Sequence, residues 1–169
     1  TMTYVMAFIA AVPTGNQDAY RQHAEQAAEY FSSSYGVQRS VEGWGDDVPT
    51  GSTTDLYRAV AAKEGETVVF AWQEYPDAAA ANAANERMNN DPKMEEMGQS
   101  MPFDASRMIF GGFEGVIEDG AGQGGYIDGS VSVVPTAERE QFIAVGRQQI
   151  DLIRAQGALR TFDGWADMI

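Results

Sequence analysis

Glu42 and Trp44 lie two positions apart, and so do Trp72 and Glu74. In an extended strand, residues i and i+2 share a face, so each pair sets a carboxylate beside an indole ring. A carboxylate among rings loses water, its pKa rises, and it can act as a general acid or base near neutral pH. Glu42 and Glu74 are therefore the candidate catalytic groups. The competing reading is an interface, with Trp44 and Trp72 as anchors and the glutamates paired to Arg39 or Arg107. The interface is favoured, because interfaces draw heavily on Trp and Arg.

Other reactive side chains offer less. His23 is the only histidine, so Ser-His-Asp catalysis and multi-histidine metal sites both depend on it. It sits at the edge of a helical apolar stripe, where packing is the simpler role. Asp46 and Asp47 lie in a loop between Gly45 and Pro49 and read as turn caps rather than cation ligands. Met88, Met94, Met97 and Met101 read as adaptable packing. The chain has no cysteine, which excludes a thiolate nucleophile, a disulfide framework and a sulfur-ligated metal. No phosphate-binding loop is present, and Gly122 to Gly125 is too loose for a dinucleotide fingerprint. Neither a metal site nor a cofactor is expected.

The elements that must position these residues follow from the apolar pattern. Tyr4 to Val12 is an unbroken apolar run ended by Pro13, which predicts a strand. Tyr20, Ala24, Ala27, Ala28 and Phe31 then recur at helical spacing, and Gly36 is a plausible stop. Val37 to Trp44 predicts a second strand, Gly45 to Lys63 a long loop with a helical turn, and Thr67 to Tyr75 a third strand. A helix from Ala78 to Asn89, a short one from Asp91 to Met97 and a strand from Arg107 to Ile117 complete a βαββαβ order.

An internal repeat follows. Tyr4 to Thr14 matches Tyr126 to Thr136 without a gap, and Tyr20 falls opposite Phe142. With one deletion, Gly36, Arg39, Gly43, Trp44 and Asp46 match Gly157, Arg160, Gly164, Trp165 and Asp167. The domain reading is therefore 1–118 for a complete domain, 119–125 for a Gly-rich linker and 126–169 for a partial second copy. A lone βαβ fragment leaves backbone edges unpaired, so it is expected to add strands or helix packing to a neighbouring chain, with pairing to its own copy about a two-fold axis as one route.

Both faces of the first strand are apolar. The repeat keeps Val5, Ala7, Ile9 and Ala11 apolar, as Ile127, Gly129, Val131 and Val133, but replaces Met6, Phe8 and Ala10 by Asp128, Ser130 and Ser132. The variable face is accordingly assigned as the one not covered by helices. Tyr4, Met6, Phe8, Glu42, Trp44, Phe70, Trp72 and Glu74 are then expected to line one ligand-binding surface.

Composition narrows the function classes. Of 169 residues, 44% are hydrophobic, and 25 acidic against 11 basic side chains give a net charge of −14. A nucleic-acid partner is disfavoured, since such binding draws on clustered Lys and Arg, and so is an acidic membrane surface. The first residues lack a basic leader, and no apolar stretch nears the roughly 20 residues of a membrane-spanning helix. A cytoplasmic protein is expected.

Three blocks bring a family to mind: Trp44-Gly45-Asp46-Asp47-Val48-Pro49, Glu64 to Trp72, and Met101-Pro102-Phe103-Asp104 with Arg107 to Phe113. Together they resemble the YbaA-like family, a bacterial group of unknown function, in register from Tyr4 to about Ile117. The resemblance implies an α+β, ferredoxin-like βαββαβ antiparallel sheet with helices on one face, of the dimeric α/β-barrel type, here with a C-terminal βαβ half-repeat. Two such sheets facing each other can enclose a pocket. The expected function is a homo-oligomeric (dimeric) binder of a small apolar or aromatic ligand. The alternatives are a cofactor-independent enzyme, of oxygenase or isomerase type, using a pocket carboxylate, and a structural or interaction module with no pocket.

Overall fold

The computed structural model describes residues 3–166; Asp167, matched above to Asp46, and the leading Thr1 and Met2 lie outside the described residues. The chain forms one five-stranded antiparallel sheet with helices. Its elements are β1 (Tyr4–Pro13), α1 (Gln17–Tyr35), β2 (Arg39–Trp44), α2 (Leu56–Ala59), β3 (Glu66–Tyr75), α3 (Ala78–Met88), α4 (Pro92–Gln99), β4 (Ile109–Asp119), α5 (Arg139–Ala155) and β5 (Thr161–Trp165). The strand order is β2-β3-β1-β4-β5.

Local chemistry sets the ends of these elements. Gly36 closes α1 at φ +70, a left-handed conformation that a side chain resists, and its N–H returns to the Phe31 carbonyl. Asp55, Asp77 and Asp91 cap the starts of α2, α3 and α4, their carboxylates accepting from the N–H groups of Arg58, Ala80 and Lys93 at 2.8 to 2.9 Å. Pro92 occupies the first turn of α4, where its missing N–H costs no hydrogen bond.

The ladders fix which residues share a face. Phe8 pairs with Ala71 and Phe110, and Ala71 with Glu42; Ile9 pairs with Phe70, and Phe70 with Gly43. Tyr4, Met6, Phe8, Ala10 and Val12 therefore lie on one side of β1, together with Glu42 and Trp44 of β2. On that side Ala10, Val12 and Val69, each 0% exposed, pack with Tyr20 of α1. Tyr35 and Val37 meet Tyr75, Ala81 and Ala84 nearby. Burying a valine side chain contributes roughly 1.5–3 kcal/mol, so this side holds the main core.

This reverses the face assignment made from the repeat: the Tyr4, Met6 and Phe8 side is the one that α1 and α3 cover. The expected confinement of helices to one face also gives way, since Leu56 and Tyr57 of α2 pack on Ile9, Ala11 and Val68 of the other side. The inference failed because Tyr126 to Val134, the match to β1, is not a strand. Its serines and aspartate report no sheet face. The segment crosses the opposite side of the sheet instead, where Ile127 reaches Gly43 and a Cβ on Gly129 would come within 3.2 Å of the Phe70 ring. Of the expected βαβ fragment, α5 and β5 form.

β5 joins the edge of its own sheet by pairing with β4. β1 takes Ile109 to Glu114 and β5 takes Glu114 to Asp119, with a bulge between Gly115 and Ile117. β4 thus runs one residue into the segment read as linker. Glu114 faces both Tyr4 and Trp165, which places Trp165 on the helix-covered side. There it meets Phe142 of α5 at 5.6 Å between rings, above Val116, Ile117 and Ile143.

Candidate functional site

The eight residues expected on one surface divide between two. Tyr4 and Met6 pack around Tyr35 and Tyr75, and Phe8 and Trp44 around Tyr20, all under the helices. Phe70, Trp72 and Glu74 lie on the opposite side, Phe70 against Ile9, Ala11, Val60 and Val68. The two carboxylates of the expected constellation therefore have separate environments.

Glu74 is 7% exposed and fully engaged. Arg160 donates to both of its oxygens at 2.8 Å, the Trp72 indole N–H donates to Oε2 at 2.9 Å, and the Arg39 guanidinium stands 3.9 Å away. Burial pushes the carboxyl up, but the hydrogen bonds and positive charge outweigh it and hold Glu74 below the usual carboxylate range. A carboxylate so held is a poor proton shuttle at neutral pH. Arg39 was one of the two partners expected for the glutamates. Arg107, the other, is committed to Glu66 and Asp104.

Glu42 projects from the edge strand β2 toward α1. The Tyr20 hydroxyl donates to its Oε2 at 2.5 Å. Loss of water raises the Glu42 pKa above its ordinary value, and the Tyr20 bond opposes only part of that rise. The residue as a whole is exposed, and the Tyr20 hydroxyl engages one of its two carboxylate oxygens. Trp44 tilts against the Tyr20 ring at 6.0 Å, and Phe103 lies 5.9 Å from the same ring. Tyr20, Arg21, Glu25, Ser40, Glu42 and Trp44 line a cleft of about 310 Å³ between α1 and β2. A second hollow of about 470 Å³ lies where α3 turns into α4, around Asp91 and Met94. Its one buried-side carboxylate, Asp91, is occupied by the hydroxyls of Tyr30 and Tyr35.

Two contributors escaped the sequence reading. Tyr20 was assigned to the apolar stripe of α1, and its hydroxyl gave no signal. Arg160 carried one, since the repeat sets it opposite Arg39. His23 is half-buried, and its Nε2 lies 3.0 Å from the Met97 carbonyl. Asp46 accepts from the Tyr126 hydroxyl at 3.2 Å. Among the described residues, no three His, Asp or Glu side chains are grouped to hold a metal, and no helix is long and apolar enough to cross a membrane.

Fold and site together define a mixed α+β protein whose single antiparallel sheet carries a small solvent-reachable cleft at one edge. The chain belongs to the family described as "Protein of unknown function (DUF1428)", which matches residues 3–105. It is also similar to "Uncharacterized protein YbaA" of Escherichia coli K12, with 51% identity over 118 residues, covering 70% of this chain and all of that protein. The protein of that name in Shigella flexneri matches to the same extent. The expected YbaA-like family is therefore correct. Elements α5 and β5 lie beyond the residues that the family description matches.

Proposed function

We propose that the chain is a small-molecule-binding protein of ferredoxin-like fold that holds an apolar or aromatic ligand in the cleft between α1 and β2. The cleft carries the reading: about 310 Å³ stands at the lower end of ligand sites, roughly 300–1,000 Å³. Its walls set the rings of Tyr20 and Trp44 among polar side chains that can orient a ligand. The fold reading draws on the order β2-β3-β1-β4 within the antiparallel sheet. The α5–β5 unit, with Phe142 on Trp165 as Tyr20 lies on Trp44, supports a degenerate second copy of the α1–β2 unit.

The test is an NMR screen of small aromatic compounds against the full chain, following the indole N–H of Trp44 assigned through Trp44→Phe. Binding in the cleft moves that signal and leaves the Trp72 indole still. If the Trp72 signal moves instead, the ligand site lies on the opposite side of the sheet.

A homodimer is proposed beside this. Val131 and Val133 are 59% and 99% exposed, on a segment with no ladder of its own, and such apolar exposure favours association. Light scattering on the full chain should give a dimer mass that Val131→Ser with Val133→Ser reduces. A monomer at every concentration removes this part of the reading.

A further inference from the structure

The chain sets a carboxylate beside a tryptophan twice, and the two carboxylates differ in one respect. Glu74, beside Trp72, is held by the guanidinium of Arg160 and approached by that of Arg39. Glu42, beside Trp44, has only the neutral Tyr20 hydroxyl, on Oε2; among the described residues no Lys or Arg forms an ion pair with it. An ionised carboxylate accepts through both oxygens, so Oε1 retains acceptor capacity.

The walls of the cleft suit a cation. The faces of Trp44 and Tyr20 attract positive charge through their ring quadrupoles. Glu25 adds a second carboxylate at the rim, against the single guanidinium of Arg21. The net charge of −14 draws cations toward the molecule from a distance. An apolar body is also accommodated, because Ala24 and Ala28 of α1 line the same cleft.

We infer that the cleft takes a small amphiphilic amine, its ammonium group hydrogen-bonded to Glu42 and its apolar body against Trp44 and Tyr20. This rests on the cleft being a ligand site and names the class of ligand. A bound cation favours the charged carboxylate, so its binding lowers the Glu42 pKa that burial raises in the free protein.

Phenethylamine, its neutral isostere 2-phenylethanol and the anion phenylacetate separate the possibilities, by calorimetry on the full chain with the Trp44 indole signal as a second readout. The amine should bind at least about tenfold tighter than the alcohol, the discrimination expected of a charge-assisted hydrogen bond, with the anion weakest. Glu42→Gln should abolish that preference while leaving the alcohol within about twofold, and Glu42→Asp, which keeps the charge, should retain part of it. Equal binding of amine and alcohol, or a preference that survives Glu42→Gln in a folded protein, overturns the amine inference and leaves the cleft as a ligand site. If none of the three compounds binds and the Trp44 signal stays fixed, the inference and the small-molecule reading both fail.

Discussion

Arg39 and Arg160, equivalent positions of the sequence repeat, converge on one carboxylate, that of Glu74. Arg39 is its cross-strand neighbour on β2, whereas Arg160 arrives from just before β5, at the other edge of the sheet. The link from Arg160 to β3 is a polar tie between the C-terminal unit and the rest of the molecule.

Glu74→Gln and Arg160→Gln should therefore be non-additive. A partly buried pair lies between the small contribution of exposed pairs and the larger one of buried pairs, and a coupling of roughly 1 kcal/mol is expected from a double-mutant cycle. Arg160→Gln should also speed amide exchange in β5. Additive single mutants with unchanged β5 protection would show that the tie contributes nothing.

The Glu66–Arg107 pair predicts an acid transition. Hydrogen bonds from Arg107 hold the Glu66 carboxyl down at about 2, from 4.5 in the unfolded chain. Its folded pKa is depressed, so its contribution is complete above about 4.5 and is lost as pH falls through about 2. Glu66→Gln should lower stability at pH 6 and flatten the decline between those values. Denaturant titrations at several pH values read this directly, and parallel curves for the two proteins would contradict it.

Glu42 should titrate in the opposite sense. Its folded pKa is raised, so the folded state binds a proton more readily than the unfolded one, and this group's contribution to stability falls as pH rises through that interval. Tyr20→Phe removes a hydrogen bond that lowers the pKa and should raise it further. Carbon-detected NMR titration of the Glu42 carboxyl, compared between the two proteins, gives the direction. A fall on losing the hydroxyl would mean that Tyr20 does not stabilise the charged form.

Gly112 leaves room for Tyr4. A Cβ there would lie 2.8 Å from Tyr4 Cζ and closer still to its hydroxyl oxygen. Gly112→Ala should cost about 1–3 kcal/mol, the range for overpacking, and Tyr4→Ala in the same chain should recover part of it. Thermal unfolding of the single and double variants checks both.

Most elements were legible because each has a local signature. The run from Tyr4 to Val12, the alanine-rich helix after Asp77 and the αL glycine at Gly36 all carry their own signals. The faces of β1 were not legible, since the strand is apolar on both sides and period-two patterning gives no direction there. Comparison with the repeat was the substitute, and it assumed that Tyr126 to Val134 is a strand. Within the site, the i, i+2 pairings of Glu42 with Trp44 and Trp72 with Glu74 were readable one strand at a time. Which side each pair faced depended on the register between β2 and β3, and that is set by contacts distant in sequence. The Arg160–Glu74 bond, 86 residues apart, belongs to the same class.

Glu114 is where the ladder along β4 changes hands, from β1 on one side to β5 on the other. Under tension this matters. A force applied at Ala166, perpendicular to the strands, loads the Trp165–Glu114 rung first and then peels β5 toward Thr161, one rung at a time. None of that path breaks the β1–β4 ladder, which ends at the same residue. In a force-extension record the C-terminal strand should yield early and at low force, and the four remaining strands should resist as a separate, stiffer unit.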